Sequence, residues 1–159
     1  MLKTLLEVVE LFKAHEIDYC LIGGLAMMLH NGRANTVDID FYVLVNDLKT
    51  LSNLFLQQGF EVKSAGKFQL KAKVKQVPID LLLADHYVGA DVVYRAVEKP
   101  LAGTYVRVAT PEDLIILKTL ADRSIDRRDI EELRELFAEQ LNEKYIERKL
   151  KKLRKQFNE

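Results

Sequence analysis

Cys20 is the only cysteine in the chain, so no internal disulfide and no all-cysteine metal site can form. It lies in the apolar run Tyr19-Cys20-Leu21-Ile22, where a buried, inert thiol is expected rather than a nucleophile. No segment approaches the roughly 20 apolar residues that a membrane span needs. Acids also interrupt the leucines of Met1-Leu2-Lys3-Thr4-Leu5-Leu6-Glu7, unlike a secretory leader. The expectation is a reducing, cytoplasmic setting with no membrane partner. Charge of one sign is missing as well: 24 Lys plus Arg balance 24 Asp plus Glu, so only local segregation of charge can steer a ligand. His15, His30 and His86 show no metal-ligand spacing, and no Ser–His–Asp or Cys–His arrangement stands out. His30, at the end of an apolar helix, reads as structural. Repeats, low-complexity stretches and linkers are absent.

At 159 residues the chain is long enough for one compact domain with a core and short for two. Leu2, Leu5, Leu6, Val9 and Phe12 recur at helical spacing over residues 2–15. A strand, 18–22, then runs into Gly23-Gly24, and a helix over 25–30 stops at Asn31-Gly32. Val37 to Val45 reads as a strand, and Asn46 or Asp47 caps a helix that ends at Gly59. Strands follow over 60–63, 68–74 and 77–83, then a weak helix over 88–97 and a strand over 104–108. Thr110-Pro111-Glu112-Asp113 is a strong helix start, and helices continue to the C-terminus with a break near Arg123-Ser124. This order predicts an α+β fold, with a core over 1–109 and a helical extension over 110–159 packed on it as one unit.

The anomaly is Val37-Asp38-Ile39-Asp40-Phe41. In a strand, residues two apart share a face, so Asp38 and Asp40 project together while Val37, Ile39 and Phe41 pack behind. Two carboxylates in a core-like strand repel each other and resist desolvation, and a divalent cation removes both objections. Asp80, in Ile79-Asp80-Leu81-Leu82-Leu83, repeats the anomaly. Three acids on adjacent strands suit Mg²⁺ (or Mn²⁺) and two-metal catalysis, with Asp80 placed to help deprotonate an incoming hydroxyl. Taken singly, each acid reads equally well as a turn, capping or lysine-paired residue. Gly23-Gly24, between a strand and a helix, lets a phosphate approach the backbone, although a diglycine is more often simply a tight turn.

Gly23-Gly24, followed by Arg33-x-x-Thr36-x-Asp38-Ile39-Asp40, resembles the polymerase-β-like nucleotidyltransferase superfamily, and more narrowly its minimal and AbiEii-toxin-like members. The resemblance implies a nucleotidyltransferase core of mixed sheet and helices. It also implies a glycine motif at Gly23 and Gly24, metal ligands at Asp38 and Asp40, and a third acid at Asp80. The block Thr110-Pro111-Glu112-Asp113-Leu114-Ile115-Ile116-Leu117-Lys118, then Arg123, Asp126 and Asp129, is similar to the helical block of AbiEii-like members. It implies that Lys118 meets nucleotide phosphates and that Asp126 and Asp129 belong to the nucleotide site, with Arg33 and Thr36. Without the resemblance, Lys118 reads as a lysine whose head escapes to water, Asp126 and Asp129 as solvated acids, and Arg33 as a loop charge.

The expected reaction is transfer of a nucleoside monophosphate from an NTP to an acceptor hydroxyl on RNA, a protein or a small molecule, releasing pyrophosphate. A toxin with a cognate antitoxin or helical partner protein fits the resemblance. The alternative is a non-catalytic nucleotide-binding or regulatory module that keeps the fold. Two basic clusters remain. Lys67, Lys71, Lys73 and Lys75, with Gln69, share one strand face and read as guards of an edge strand or as acceptor ligands. Lys144, Arg148, Lys149, Lys151, Lys152, Arg154 and Lys155 face solvent or an RNA edge, opposite an apolar stripe of Ile146, Leu150, Leu153 and Phe157.

Overall fold

The computed structural model describes residues 1–33 and 35–157, the side chain of Phe157 excepted. The apolar repeat at the N-terminus forms α1 (Leu2–Ala14), whose Leu5, Val8, Val9 and Phe12 are fully buried. Next come β1 (Asp18–Ile22), α2 (Gly23–Leu29), β2 (Ile39–Leu44) and α3 (Leu48–Gln57). Asp47 caps α3 by accepting from Thr50 N at 2.8 Å. Three strands follow, β3 (Glu61–Ala65), β4 (Gln69–Val74) and β5 (Val77–Leu83), and then the short helices α4 (Ala84–Tyr87) and α5 (Asp91–Arg95). The chain continues as β6 (Val97–Leu101), β7 (Thr104–Val108), α6 (Pro111–Ala121), α7 (Ser124–Phe137) and α8 (Glu143–Phe157). Thr110 caps α6 as expected, accepting from Asp113 N at 3.1 Å.

Seven strands form one mixed sheet in the order β3-β4-β5-β2-β1-β7-β6. β2 runs antiparallel to β1 and parallel to β5, and β4 is antiparallel to β5. Residues facing one another across paired strands share a face. Leu21, Phe41, Leu81 and Leu70 therefore make one apolar row, and all four are fully buried. Phe12 of α1 meets Phe41 edge-on at 5.1 Å, which places α1 over this face. The next row, Ile22, Asp40, Asp80 and Lys71, points to the other face, which is the functional one. Cys20 sits on that face too, fully buried, and burial pushes its thiol up to about 12, well outside the range of a nucleophile.

Several expectations need correction. The strand begins at Ile39, not Val37: Val37 is 75% exposed, and Asp38 lies in the bend before β2, held by Thr36. The helix expected over 88–97 is only the short α5, Asp91–Arg95; the unexpected α4 precedes it and the unexpected strand β6 follows. Pro100 is tolerated there because β6 lies at the sheet edge and needs no further donor. β4 is interior, flanked by β3 and β5, so its lysines guard no edge. Lys149 is not solvated but buried, and its Nζ meets Asp91 Oδ1 at 2.7 Å. Ile146 and Leu153 are buried as the stripe requires; the side chain of Phe157 lies outside the described residues.

His30 is structural. Its Nε2 donates to Ala109 O at 2.8 Å, and burial pushes its pKa down, favouring the neutral ring. The helical layer is fastened by a second buried polar group. Tyr145 of α8 donates its hydroxyl to Asp113 Oδ1 of α6 at 2.5 Å, and the Arg95 guanidinium lies 3.8 Å over the Tyr145 ring. Burial pushes the Asp113 carboxyl up, while Tyr145 and Arg95 oppose it. Tyr145→Phe should cost about 1–3 kcal/mol by leaving Asp113 short of a donor. An unchanged urea midpoint and slope would refute that role.

Candidate active site

One bend and two parallel strands assemble the carboxylates. The register pairs Asp40 with Asp80, so their side chains stand side by side on one face. Asp38 joins them from the bend before β2. Thr36 Oγ1 lies 3.0 Å from Asp38 Oδ1 as donor, and the Asp38 N–H reaches back to the same hydroxyl at 3.4 Å. One oxygen of each of Asp38, Asp40 and Asp80 lies within 4.8 Å of the others, and all three residues are half-buried. An oxygen-only donor set of this charge and spacing fits a hard divalent cation of the Mg²⁺ or Mn²⁺ kind.

Without a cation these charges conflict. Burial, then the charges of Asp38 and Asp80, push the Asp40 carboxyl up to about 7, with Arg123 pulling weakly the other way. The diglycine has a steric reason to be there. Gly23 takes φ +72°, and a Cβ on it would fall 2.5 Å from Asp40 Oδ2. A Cβ on Gly24 would fall 2.7 Å from the Thr36 Cβ. Both glycines thus let β1 and α2 close down on the acids.

Beside the acids opens a cleft of about 250 Å³, lined by Gly23, Gly24, Arg33, Thr36, Asp38, Asp40, Lys118, Arg123 and Asp129 among others. Lys118 does not escape to water. It is 9% exposed, and its Nζ contacts Asp129 Oδ2 at 2.8 Å and Asp126 Oδ1 at 3.8 Å. Asp126 is fully buried behind the cleft rather than solvated. Burial pushes its carboxyl up, but the hydrogen bonds and charge of Arg123, with Lys118, outweigh that and hold it below the usual range. Arg33 lines the cleft, and its backbone N–H is fixed by Glu132 Oε1 at 2.7 Å.

Arg123 received no role from the sequence. Its Nε lies 2.7 Å from Asp126 Oδ2, yet its side chain is 71% exposed and lines the cleft. The available signal was its place three residues before Asp126, at a helix start where an arginine is no ordinary cap.

The family described as "Nucleotidyl transferase of unknown function (DUF2204)" matches residues 1–159. The chain belongs to this nucleotidyltransferase family. No curated protein matches significantly. Among solved structures, ANT(2")-Ia in complex with adenylyl-2"-tobramycin has a TM-score of 0.69 at 20% identity, over 98% of each chain. The lincosamide antibiotic adenylyltransferase LnuA, lincomycin-bound, has a TM-score of 0.66 at 16% identity, over 84% of this chain and 96% of that one. An antigenic nucleotidyltransferase-like protein from Paracoccidioides brasiliensis has a TM-score of 0.62 at 23% identity, over 85% of this chain and 76% of that one. These likenesses show a shared nucleotidyltransferase fold. Among the described residues, no helix is long and apolar enough to cross a membrane.

The carboxylate conflict gives the metal-free protein a pH signature. Folded Asp40 keeps its proton up to about 7, whereas the unperturbed group loses it near 3.8. The folded chain therefore binds more protons between those values, and stability falls as pH rises through that window. Asp40→Asn should raise the metal-free Tm above pH 7 by about 3 °C or more, since each tenfold change in proton affinity is worth ~1.4 kcal/mol, and should change little near pH 4. An equal change at both pH values would show that charge is not the cause.

Proposed function

We propose that the chain transfers a nucleoside monophosphate from an NTP to an acceptor hydroxyl. The observation carrying this reading is the convergence of Asp38, Asp40 and Asp80 beside a cleft walled by the cations Arg33, Lys118 and Arg123. Asp38, Asp40 and Asp80 would hold Mg²⁺ or Mn²⁺, which when bound supplies charge neutralisation for the triphosphate and acidifies the acceptor hydroxyl. Gly23 and Gly24 leave room for the phosphates against the backbone. Lys118 and Arg123 neutralise them, and Arg33 contributes from the loop. Asp126 and Asp129 act through these cations, by holding Lys118 and Arg123 at the cleft; Thr36 acts by holding Asp38.

The acceptor oxygen attacks the α-phosphorus, its bond to the β-phosphate oxygen breaks, and pyrophosphate leaves. Asp80, on the side away from Lys118 and Arg123, orients the hydroxyl and takes up its proton for release to solvent. Adenylyl transfer in the structural relatives ANT(2")-Ia and LnuA agrees with this reaction class. The narrower AbiEii-like assignment, with a toxin's role and a cognate antitoxin, has its support in the Lys118–Asp126–Asp129 cluster of the helical block.

Calorimetric titration of each NTP with Mg²⁺, paired with pyrophosphate release, tests this. Wild type should bind one NTP in a metal-dependent way, and Asp40→Asn should lower transfer about a thousandfold or more, the equivalent of ~4 kcal/mol of lost charge stabilisation. Transfer unchanged in Asp40→Asn would remove the assignment, and metal-dependent NTP binding without transfer to any acceptor would favour a binding module.

A further inference from the structure

On the reading just given, the acceptor's side of the site is as well defined as the nucleotide's. An in-line displacement puts the attacking and leaving oxygens on opposite sides of the phosphorus. The cations that suit the triphosphate, Lys118 and Arg123, come from α6 and the start of α7, on one side of Asp40. Asp80 stands on the other side, on β5, and the sheet continues beyond it into β4 and β3. The acceptor must therefore lie over β5, β4 and β3, on the face that carries Asp80.

That face is basic. Lys71 sits directly across from Asp80 in register, and Lys73 and Gln69 follow on the same face of β4. With strands ~4.8 Å apart, the Lys71 ammonium ranges over the space next to a hydroxyl held at Asp80. The acids of β3, β4 and β5 are Glu61 and Asp80 alone. Glu61 is taken by Lys63 at 2.7 Å, and Lys75 is taken by Glu7 of α1 at 2.9 Å. Lys73 faces Glu61 across β3 and its charge helps to lower the Glu61 carboxyl, although the close ion pair of Glu61 is with Lys63. Lys71 forms no ion pair with a carboxylate among the described residues, Asp80 included, despite facing it. Edge protection does not explain them either, because β4 is interior. Leu82, opposite Gln69, adds a half-buried apolar patch to the same surface.

We infer that the acceptor carries a phosphate close to its reacting hydroxyl, and that Lys71 and Lys73 bind that phosphate. A polycation would meet like charge on this surface. The phosphate belongs either to the backbone of a strand or to a small phosphorylated hydroxyl compound; both offer the same chemistry to β4.

The test uses the full chain loaded with Mg²⁺ and a non-hydrolysable NTP analogue. The probes are a short single-stranded oligoribonucleotide, ribose 5-phosphate and tobramycin, each titrated into wild type, Lys71→Gln/Lys73→Gln and Lys71→Arg/Lys73→Arg. Wild type should bind at least one phosphate probe more tightly than tobramycin. The glutamine variant should lose that binding by about tenfold or more, with the salt dependence flattened by about one contact per lysine, and the arginine variant should restore it. Which phosphate probe binds tells strand from small molecule. Preference for tobramycin, no binding of either phosphate probe, or unchanged binding in the glutamine variant would overturn the inference. Binding of the NTP analogue reports separately on the nucleotide site: intact in all three proteins, it leaves the proposed reaction standing when the acceptor inference falls, whereas its absence from wild type removes both.

Discussion

The arrangement turns on the parallel pairing of β2 with β5. It sets Asp40 beside Asp80 on a sheet whose reverse face is the apolar core, so neither strand can slip by one residue without burying carboxylates under α1 and exposing Ile39, Phe41, Ile79 and Leu81. The hydrophobic pattern that folds the domain thereby also fixes the spacing of the acids. Their burial and mutual repulsion are a cost carried by the metal-free fold, visible in Asp40, and cation binding relieves it. Preorganised charge of this kind is held against its own preference by packing that lies elsewhere.

A second layer of charge answers the first. α6 and the start of α7 bring Lys118 and Arg123 to the cleft, and Asp126 and Asp129 hold them there. Lys118 is buried with two acids beside it, and they fix its head at the cleft. The exposed Arg123 guanidinium is held on one edge by Asp126, leaving the rest toward the cleft. The helical layer is in turn tied down by Tyr145 on Asp113 and Lys149 on Asp91, so the position of these cations depends on contacts remote from them.

Much of the fold was legible because the strongest local signals agree with the tertiary result. The α1 periodicity, the Asp47 and Thr110 caps and the alternation of Leu70, Ala72 and Val74 all describe elements that exist where expected. β6 was missed because an edge strand containing Pro100 has neither alternation nor an apolar run. Asp38, Asp40 and Asp80 stood out as acids among core residues, but the register that unites them belongs to no single segment. Lys118, Asp126 and Asp129 read blandly by periodicity, because burial of a charged group depends on partners far along the chain. Arg123 was passed over for a similar reason: a helix-start arginine acquires meaning only once Gly23, Asp40 and Lys118 surround the same space.

Cys20 gives this construction an internal witness. It is the sole thiol, it lies in the sheet on the functional face, opposite Tyr42 of β2, and it is closed off from solvent. A thiol reagent can meet it only in molecules whose layers have parted, and its raised pKa makes the closed form inert even where a reagent could diffuse in. Its modification rate is thus a clock for opening of the sheet from its helical cover, readable without adding any label to the chain. A ligand that ties the layers together would slow that clock by the factor 1 + [L]/Kd, so the chain carries its own reporter of when the site is assembled.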